Sequence, residues 1–141
     1  MDEMKELAKE LSVGERVHFV GFQNDVRPLL AASAAMVTPS RREGLPRSVM
    51  ESMAMSTLVI GSDIRGTSDL LKDGCGILVE NRNDKKIAGF AKAMIYCADE
   101  NNAREVNKII EHAYNRILNF DIKILIKEHE ELYAKGEKLD K

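Results

Sequence analysis

The chain has 141 residues, 21 basic against 23 acidic, a formal charge of −2, 44% hydrophobic residues and no tryptophan. That length suits one domain with its own core, and apolar residues recurring in periodic blocks exclude a disordered chain. Lys and Arg interspersed among Asp and Glu leave no basic footprint, so neither nucleic acid nor an anionic membrane surface is an expected partner.

In chain order, MDEMKELAKE opens an acidic helix over 3–11 with Leu7 and Leu11 on one face, which is not the pattern of a signal peptide. VHFVGF (17–22) is a short β-rich run closed by Gly21 and predicts a buried strand. A helix over 26–35 carries Val26, Leu29, Leu30 and Ala34. Strands at MVTPS (36–40), TLVIGS (57–62) and GILVE (76–80) then alternate with helices from Leu45 or Pro46 to about Met55 and from Ser68 to Lys72. Each strand is a continuous apolar run, as expected where both faces are covered in a parallel sheet. The order implies an α/β layer fold, a Rossmann-like, mainly parallel sheet of about four strands with helices on both faces.

Three helices are expected after Asn81. Asn83 or Asp84 would cap the first, with Ile87, Phe90, Ala91, Met94 and Ile95 as its apolar stripe. The second, about 102–118, would bury Val106, Ile109, Ile110, Ala113 and Ile117. The third would run from a capping Asp121 to about Lys135, before the solvated tail Gly136-Glu137-Lys138. Cys75 and Cys97 have neither zinc-site spacing nor the density of a disulfide scaffold, and are expected as reduced, buried thiols. His18, His112 and His129 are read as structural, Met50, Met53 and Met55 as helix packing. Asp69 and Glu80 have no visible partner, and Ser33 and Ser40 have no nucleophile setting. No apolar run approaches the roughly 18 residues of a membrane span, and a cytoplasmic location is expected.

The segment richest in chemistry is MVTPSRREGLPRSVMESMAMSTLVIGSDIRG (36–66). A strand ends at Pro39-Ser40, a polar loop follows, and Pro46 opens a helix at a first-turn position where its missing N–H costs nothing. Such loops lie at the carboxyl edge of a parallel sheet, where open α/β folds bind ligands. The free N–H groups of Arg47, Ser48 and Val49, with the helix dipole, favour an anion such as phosphate. Glu43 before the helix and Glu51 within it are acceptors when ionised, each suited to a pair of sugar or ribose hydroxyls.

The string SRREGLPRSVMESMA, preceded by a strand and followed by LVIGSDIRGTSDLLKDGCGILVE, resembles the signature of the retaining glycosyltransferases of family four, the group 1 enzymes of two-Rossmann-domain, type B architecture. Those enzymes carry a Glu, seven residues and a second Glu in their C-terminal donor domain, the separation of Glu43 and Glu51. The resemblance runs from about Gly14 to Tyr133. It implies that residues 1–141 are a partial nucleotide-sugar-binding domain, with a nucleotide-diphosphate sugar as ligand and polysaccharide biosynthesis as context. Glu43 would be the catalytic-centre residue, contacting donor sugar hydroxyls near the reacting carbon. The Gly44-Leu45 backbone would line sugar and phosphates, Arg47 and Ser48 would face the diphosphate, and Glu51 would hold the ribose. Transfer with retention, with no bound metal and no cofactor, is implied; the sequence shows no Asp-x-Asp or His/Cys cluster.

Two departures from the family qualify this. Its N-terminal acceptor domain has no counterpart here, nor do the first two strand-helix units of the donor domain, whose Arg and Lys clamp the diphosphate. Each missing charge-assisted bond is worth about 1.5–3 kcal/mol, so donor binding by this fragment is expected to be weak and turnover absent, with Arg41 and Arg42 as partial substitutes. In the family order 3-2-1-4-5-6 the VHFVGF strand would be separated from the other three by a gap. It would then either close onto MVTPS or pair in a second copy, giving self-association by strand exchange. A non-catalytic binding or assembly module is the alternative function, and a sugar-nucleotide epimerase of the same architecture a weaker third.

Overall fold

A computed structural model describes residues 2–82 and 85–136. Its helices are α1 (Asp2–Glu10), α2 (Arg27–Ala31), α3 (Arg47–Ala54), α4 (Thr67–Leu71), α5 (Lys86–Ala98), α6 (Ala103–Ile117) and α7 (Ile122–Gly136); its strands are β1 (Ala35–Thr38), β2 (Leu58–Ser62) and β3 (Ile77–Val79). The strands form one parallel sheet in the order β1-β2-β3, with Ala35 opposite Leu58 and Ile60 opposite Ile77. Parallel neighbours need crossover connections, and α3 and α4 supply them.

Central β2 is buried along its whole length, which explains its unbroken apolar run Leu58-Val59-Ile60. Val59 packs with Val49 and Met53 of α3, Leu70 and Leu71 of α4, and Ala113 and Ile117 of α6. Leu58 and Ile60 pack with Val79, with Phe90 and Ala93 of α5, and with Val106 of α6. Both faces are therefore covered, as expected. Burying each of these large side chains contributes about 1.5–3 kcal/mol. Gly61 lets α4 approach β2, since a Cβ there would lie 2.5 Å from the Thr67 methyl. The α6 positions Val106, Ala113 and Ile117 are buried as expected, with Ile109 and Ile110 half-buried. Asp121 caps α7 by accepting the Lys123 N–H at 2.8 Å.

Several expectations are corrected. The sheet has three strands, because VHFVGF is not one of them. Val17 is extended (φ −113°, ψ 116°), but no ladder includes the segment, and Val17, Phe19, Val20 and Phe22 are exposed, Phe22 to 89%. β-rich composition supplies propensity, but a strand exists only with a partner, and β1 is paired on one flank alone. Closure of VHFVGF directly onto the MVTPS strand is accordingly not observed. Leu7 and Leu11 are exposed and Ala8 is the buried residue of α1; α2 is one short turn-and-a-half whose Val26 and Leu29 are also exposed. In α5 the packed positions are Phe90, Ala93 and half-buried Cys97, whereas Ile87, Met94 and Ile95 face outward. Gly89 explains the rotation: its bare Cα sits over β3, where a Cβ would be 2.6 Å from a Val79 methyl.

Cys75 and Cys97 are both free, but only Cys75 is fully buried. Met53 is buried, and Met50 and Met55 half-buried, in keeping with a packing role. Glu80 pairs with Arg82 at 2.8 Å, and Asp69 accepts the Gly66 N–H at 3.2 Å, so both have partners that the sequence did not reveal. Residues Asn83 and Asp84, the expected cap of α5, and Glu137 and Lys138 of the tail lie outside the described residues. No described helix is long and apolar enough to cross a membrane.

Candidate functional site

β1 ends at Thr38, and the loop 39–46 crosses the carboxyl edge of the sheet before α3 begins. Pro46 is the residue just outside the helix (φ −70°, ψ 110°), one position earlier than expected. Its carbonyl accepts from both Val49 N–H (3.1 Å) and Met50 N–H (3.2 Å). Val49 is thus not a free donor, because the first turn tightens onto Pro46. Among the described residues, the N–H groups of Arg47 and Ser48 have no backbone acceptor and remain at the positive end of α3.

The sequence-predicted residues lie on the loop 39–46 and the α3 that follows it, Glu43, Gly44 and Leu45 on the loop and Arg47, Ser48 and Glu51 on the helix. Glu43 is half-buried and fixed by its own loop: the Ser40 hydroxyl donates to Glu43 Oε1 at 2.7 Å and lies 3.2 Å from the Thr38 hydroxyl. Ser40 therefore serves as an orienting donor. Gly44 has open space where a Cβ would project, and Leu45 is exposed. Arg47, Ser48 and Glu51 are exposed on α3, while Val49, Ser52 and Met53 bury the opposite face and anchor the helix. Ser48 and Glu51 line one recess with Val26, Leu29, Leu30 and Met36. Arg47 and Glu51 also line a second, with Tyr114, Leu118 and Phe120. A larger cleft lies between α1 and residues 12–19, away from the Glu43 loop.

Several contributors to this loop had no role assigned from the sequence. Gly66, at φ +85°, lies against the loop so closely that a Cβ would stand 2.1 Å from the Gly44 carbonyl oxygen and 3.0 Å from that of Glu43. Asp69 holds this turn through the Gly66 N–H, and the Ser68 hydroxyl donates to Asp63 at 2.6 Å. Lys86 reaches over from α5 to the Pro39 carbonyl at 2.8 Å. A glycine following Asp63-Ile64-Arg65 was a usable turn signal; the lysine gave none, since any long cationic side chain can donate to a backbone carbonyl.

The remaining candidates are structural or solvent-facing. Arg41 and Arg42 are exposed, His18 and His112 are exposed, and His129 Nδ1 lies 2.7 Å from the Leu125 carbonyl within its own helix. Ser33 donates to the Leu29 carbonyl. At the start of α2 the Arg27 guanidinium and N–H both bond Asp25, which holds its carboxyl down at about 2. Among the described residues no group of three His, Cys, Asp or Glu side chains converges on a point that could hold a metal ion.

Comparison with known proteins identifies the family. The family described as "Glycosyl transferases group 1" matches residues 1–116. The lipopolysaccharide core biosynthesis glycosyltransferase LpsE of Rhizobium meliloti is 35% identical over 103 residues, 73% of this chain and 30% of that protein. The UDP-Gal:alpha-D-GlcNAc-diphosphoundecaprenol alpha-1,3-galactosyltransferase of Escherichia coli is 29% identical over 126 residues, 88% of this chain and 31% of its own. A glycosyltransferase structure from Rickettsia africae superposes with TM-score 0.83 at 25% identity, covering 95% of this chain and 35% of that one. Anabaena Alr3699/HepE, solved in complex with UDP, shares the fold with TM-score 0.78 at 23% identity, covering 94% and 36% respectively. The chain spans about a third of the length of these relatives. With the matched segment reaching from the first residue through nearly all of α6, and Glu43 and Glu51 both lying inside it, this chain belongs to the group 1 glycosyl transferase family.

Proposed function

We propose that residues 40–51 form the donor side of a retaining glycosyl-transfer site for a nucleotide-diphosphate sugar, working without a bound metal or cofactor. The observation that supports this reading is that Arg47 and Ser48 keep open N–H groups at the start of α3, with Glu43 preceding them on the loop and Glu51 following them on the exposed side of the helix. The diphosphate would accept from those N–H groups, with the Arg47 guanidinium adding charge and the helix dipole about 0.3–1 kcal/mol. Glu51 would take the ribose hydroxyls, in the recess it shares with Ser48. Glu43, turned by Ser40, would accept from donor sugar hydroxyls near the reacting carbon. Gly44 and Leu45 would line the path between them. Turnover is proposed only for an assembly in which other polypeptide supplies the acceptor side, and the two free cysteines fit a reducing, cytoplasmic setting.

Calorimetric titration with UDP-glucose and GDP-mannose tests this. Saturable binding of at least one is expected, weakened by about tenfold or more in Glu51→Ala, since a hydrogen bond to a charged group is worth about 1.5–3 kcal/mol. A wild-type chain that binds neither overturns the donor-site reading.

A second reading, an assembly module, is favoured by one specific observation: Val17, Phe19, Val20, Phe22, Val26 and Leu29 are all exposed, and β1 has an unpaired flank. On this reading the chain self-associates, with 17–22 supplying strand pairing to a second copy. Light scattering should then return a mass above that of one chain, falling to the monomer in Phe19→Asp/Phe22→Asp. A wild-type monomer at all concentrations contradicts it.

A further inference from the structure

The loop that presents Glu43 is held by more than its own residues. Lys86, the first residue of α5, is half-buried, and its ammonium donates to the Pro39 carbonyl at 2.8 Å, the Asn81 side-chain oxygen at 2.9 Å and the Ser40 carbonyl at 3.4 Å. Lysine carries three N–H donors and no acceptor, so these three oxygens match its full capacity. Asn81 follows β3 and Pro39 follows β1; the ammonium therefore ties together the carboxyl ends of the two outer strands, across the end of β2. Ser40 is the residue where this tie meets the site: its carbonyl faces Lys86, and its hydroxyl donates to Glu43 Oε1 at 2.7 Å.

We infer that Lys86 is a positioning residue for sugar recognition, fixing Pro39-Ser40 so that the Ser40 hydroxyl aims the Glu43 carboxylate. This rests on the donor-site reading above and extends it to a residue on a different element. Lys86 touches no part of the proposed ligand. Its action runs through Ser40 to Glu43 alone, while the Arg47, Ser48 and Glu51 contacts sit on α3, which is anchored separately by buried Val49, Ser52 and Met53. Its loss should consequently weaken recognition of the sugar and spare recognition of the nucleotide.

The test compares wild type, Lys86→Met and Lys86→Arg, titrated in parallel with UDP-glucose, GDP-mannose, UDP and GDP, with backbone NMR order parameters followed at Ser40–Gly44. In Lys86→Met the affinity for whichever nucleotide sugar the wild type binds should fall about fivefold, the equivalent of one lost hydrogen bond, with the matching nucleoside diphosphate unchanged. Order parameters at Ser40–Gly44 should fall in the same variant, and Lys86→Arg, which keeps the charge and several donors, should recover part of both. Equal weakening of the sugar nucleotide and the free diphosphate would mark a general structural role and overturn the inference. Unchanged order parameters at Ser40–Gly44 in Lys86→Met would overturn it whatever the nucleotides do. Should the wild type bind no nucleotide sugar, the donor-site reading fails by itself, and the order parameters still decide whether Lys86 orders the loop.

Discussion

Replacing Gly66 with alanine is expected to destabilise the chain by about 2–6 kcal/mol and to abolish donor binding at the proposed site. The new Cβ would lie 2.1 Å from the Gly44 carbonyl oxygen and 2.9 Å from its carbonyl carbon. Both are backbone atoms, so no rotamer change can relieve the overlap. At φ +85° an L side chain is strained as well, by about 1–3 kcal/mol, and overpacking adds about 1–3 kcal/mol. The loop must therefore move, carrying Glu43 with it. A thermal melt should show a loss of about 10 °C or more. Gly44→Ala is the control: its Cβ would meet nothing within 4 Å, so its melting point should stay near that of wild type. Identical melts for wild type and Gly66→Ala would contradict the described packing of the two loops.

Met53→Ala should be comparably damaging, by a different route. Met53 is fully buried in the cluster that joins α3 to β2, α4 and α6. Truncating a buried methionine costs about 2–5 kcal/mol, part from lost transfer energy and part from the cavity left behind. Because α3 carries Arg47, Ser48 and Glu51 on its other face, a loosened α3 should weaken nucleotide binding as well as stability. Urea unfolding measures the first effect; Met50→Ala, at a half-buried position of the same helix, should cost clearly less. Equal costs at the two positions would contradict the assigned core.

The sequence was most legible where local and tertiary demands coincide. The central run 58–62 is apolar on both faces because both are covered, and the flanking runs 35–38 and 77–79 share its pattern although they are only partly buried, with Val37 exposed; together they announced parallel strands directly. VHFVGF has the same composition and failed as a strand, because composition cannot specify a pairing partner. Helix α5 misled for another reason: with Ile87, Met94 and Ile95 outward, its apolar residues are spread round the axis, and the packed face was chosen by the close seat of Gly89 on Val79. The proposed site residues Glu43, Gly44, Leu45, Arg47, Ser48 and Glu51 could be picked out because they fall in one short stretch opening a helix. Gly66 and Lys86 were not, since their contacts to that stretch are long-range and made to backbone oxygens or backbone space, which leave no side-chain signature.

The central claim, a nucleotide-sugar donor site at the start of α3, is tested most directly by a residue-resolved NMR titration of the isotopically labelled chain with UDP-glucose and GDP-mannose. Saturable amide shifts are expected at Gly44, Arg47, Ser48 and Glu51, with little change at the α1 end of the molecule, and they should vanish in Glu51→Ala. Shifts confined to the cleft between α1 and residues 12–19, or no saturable shift at all, would contradict it.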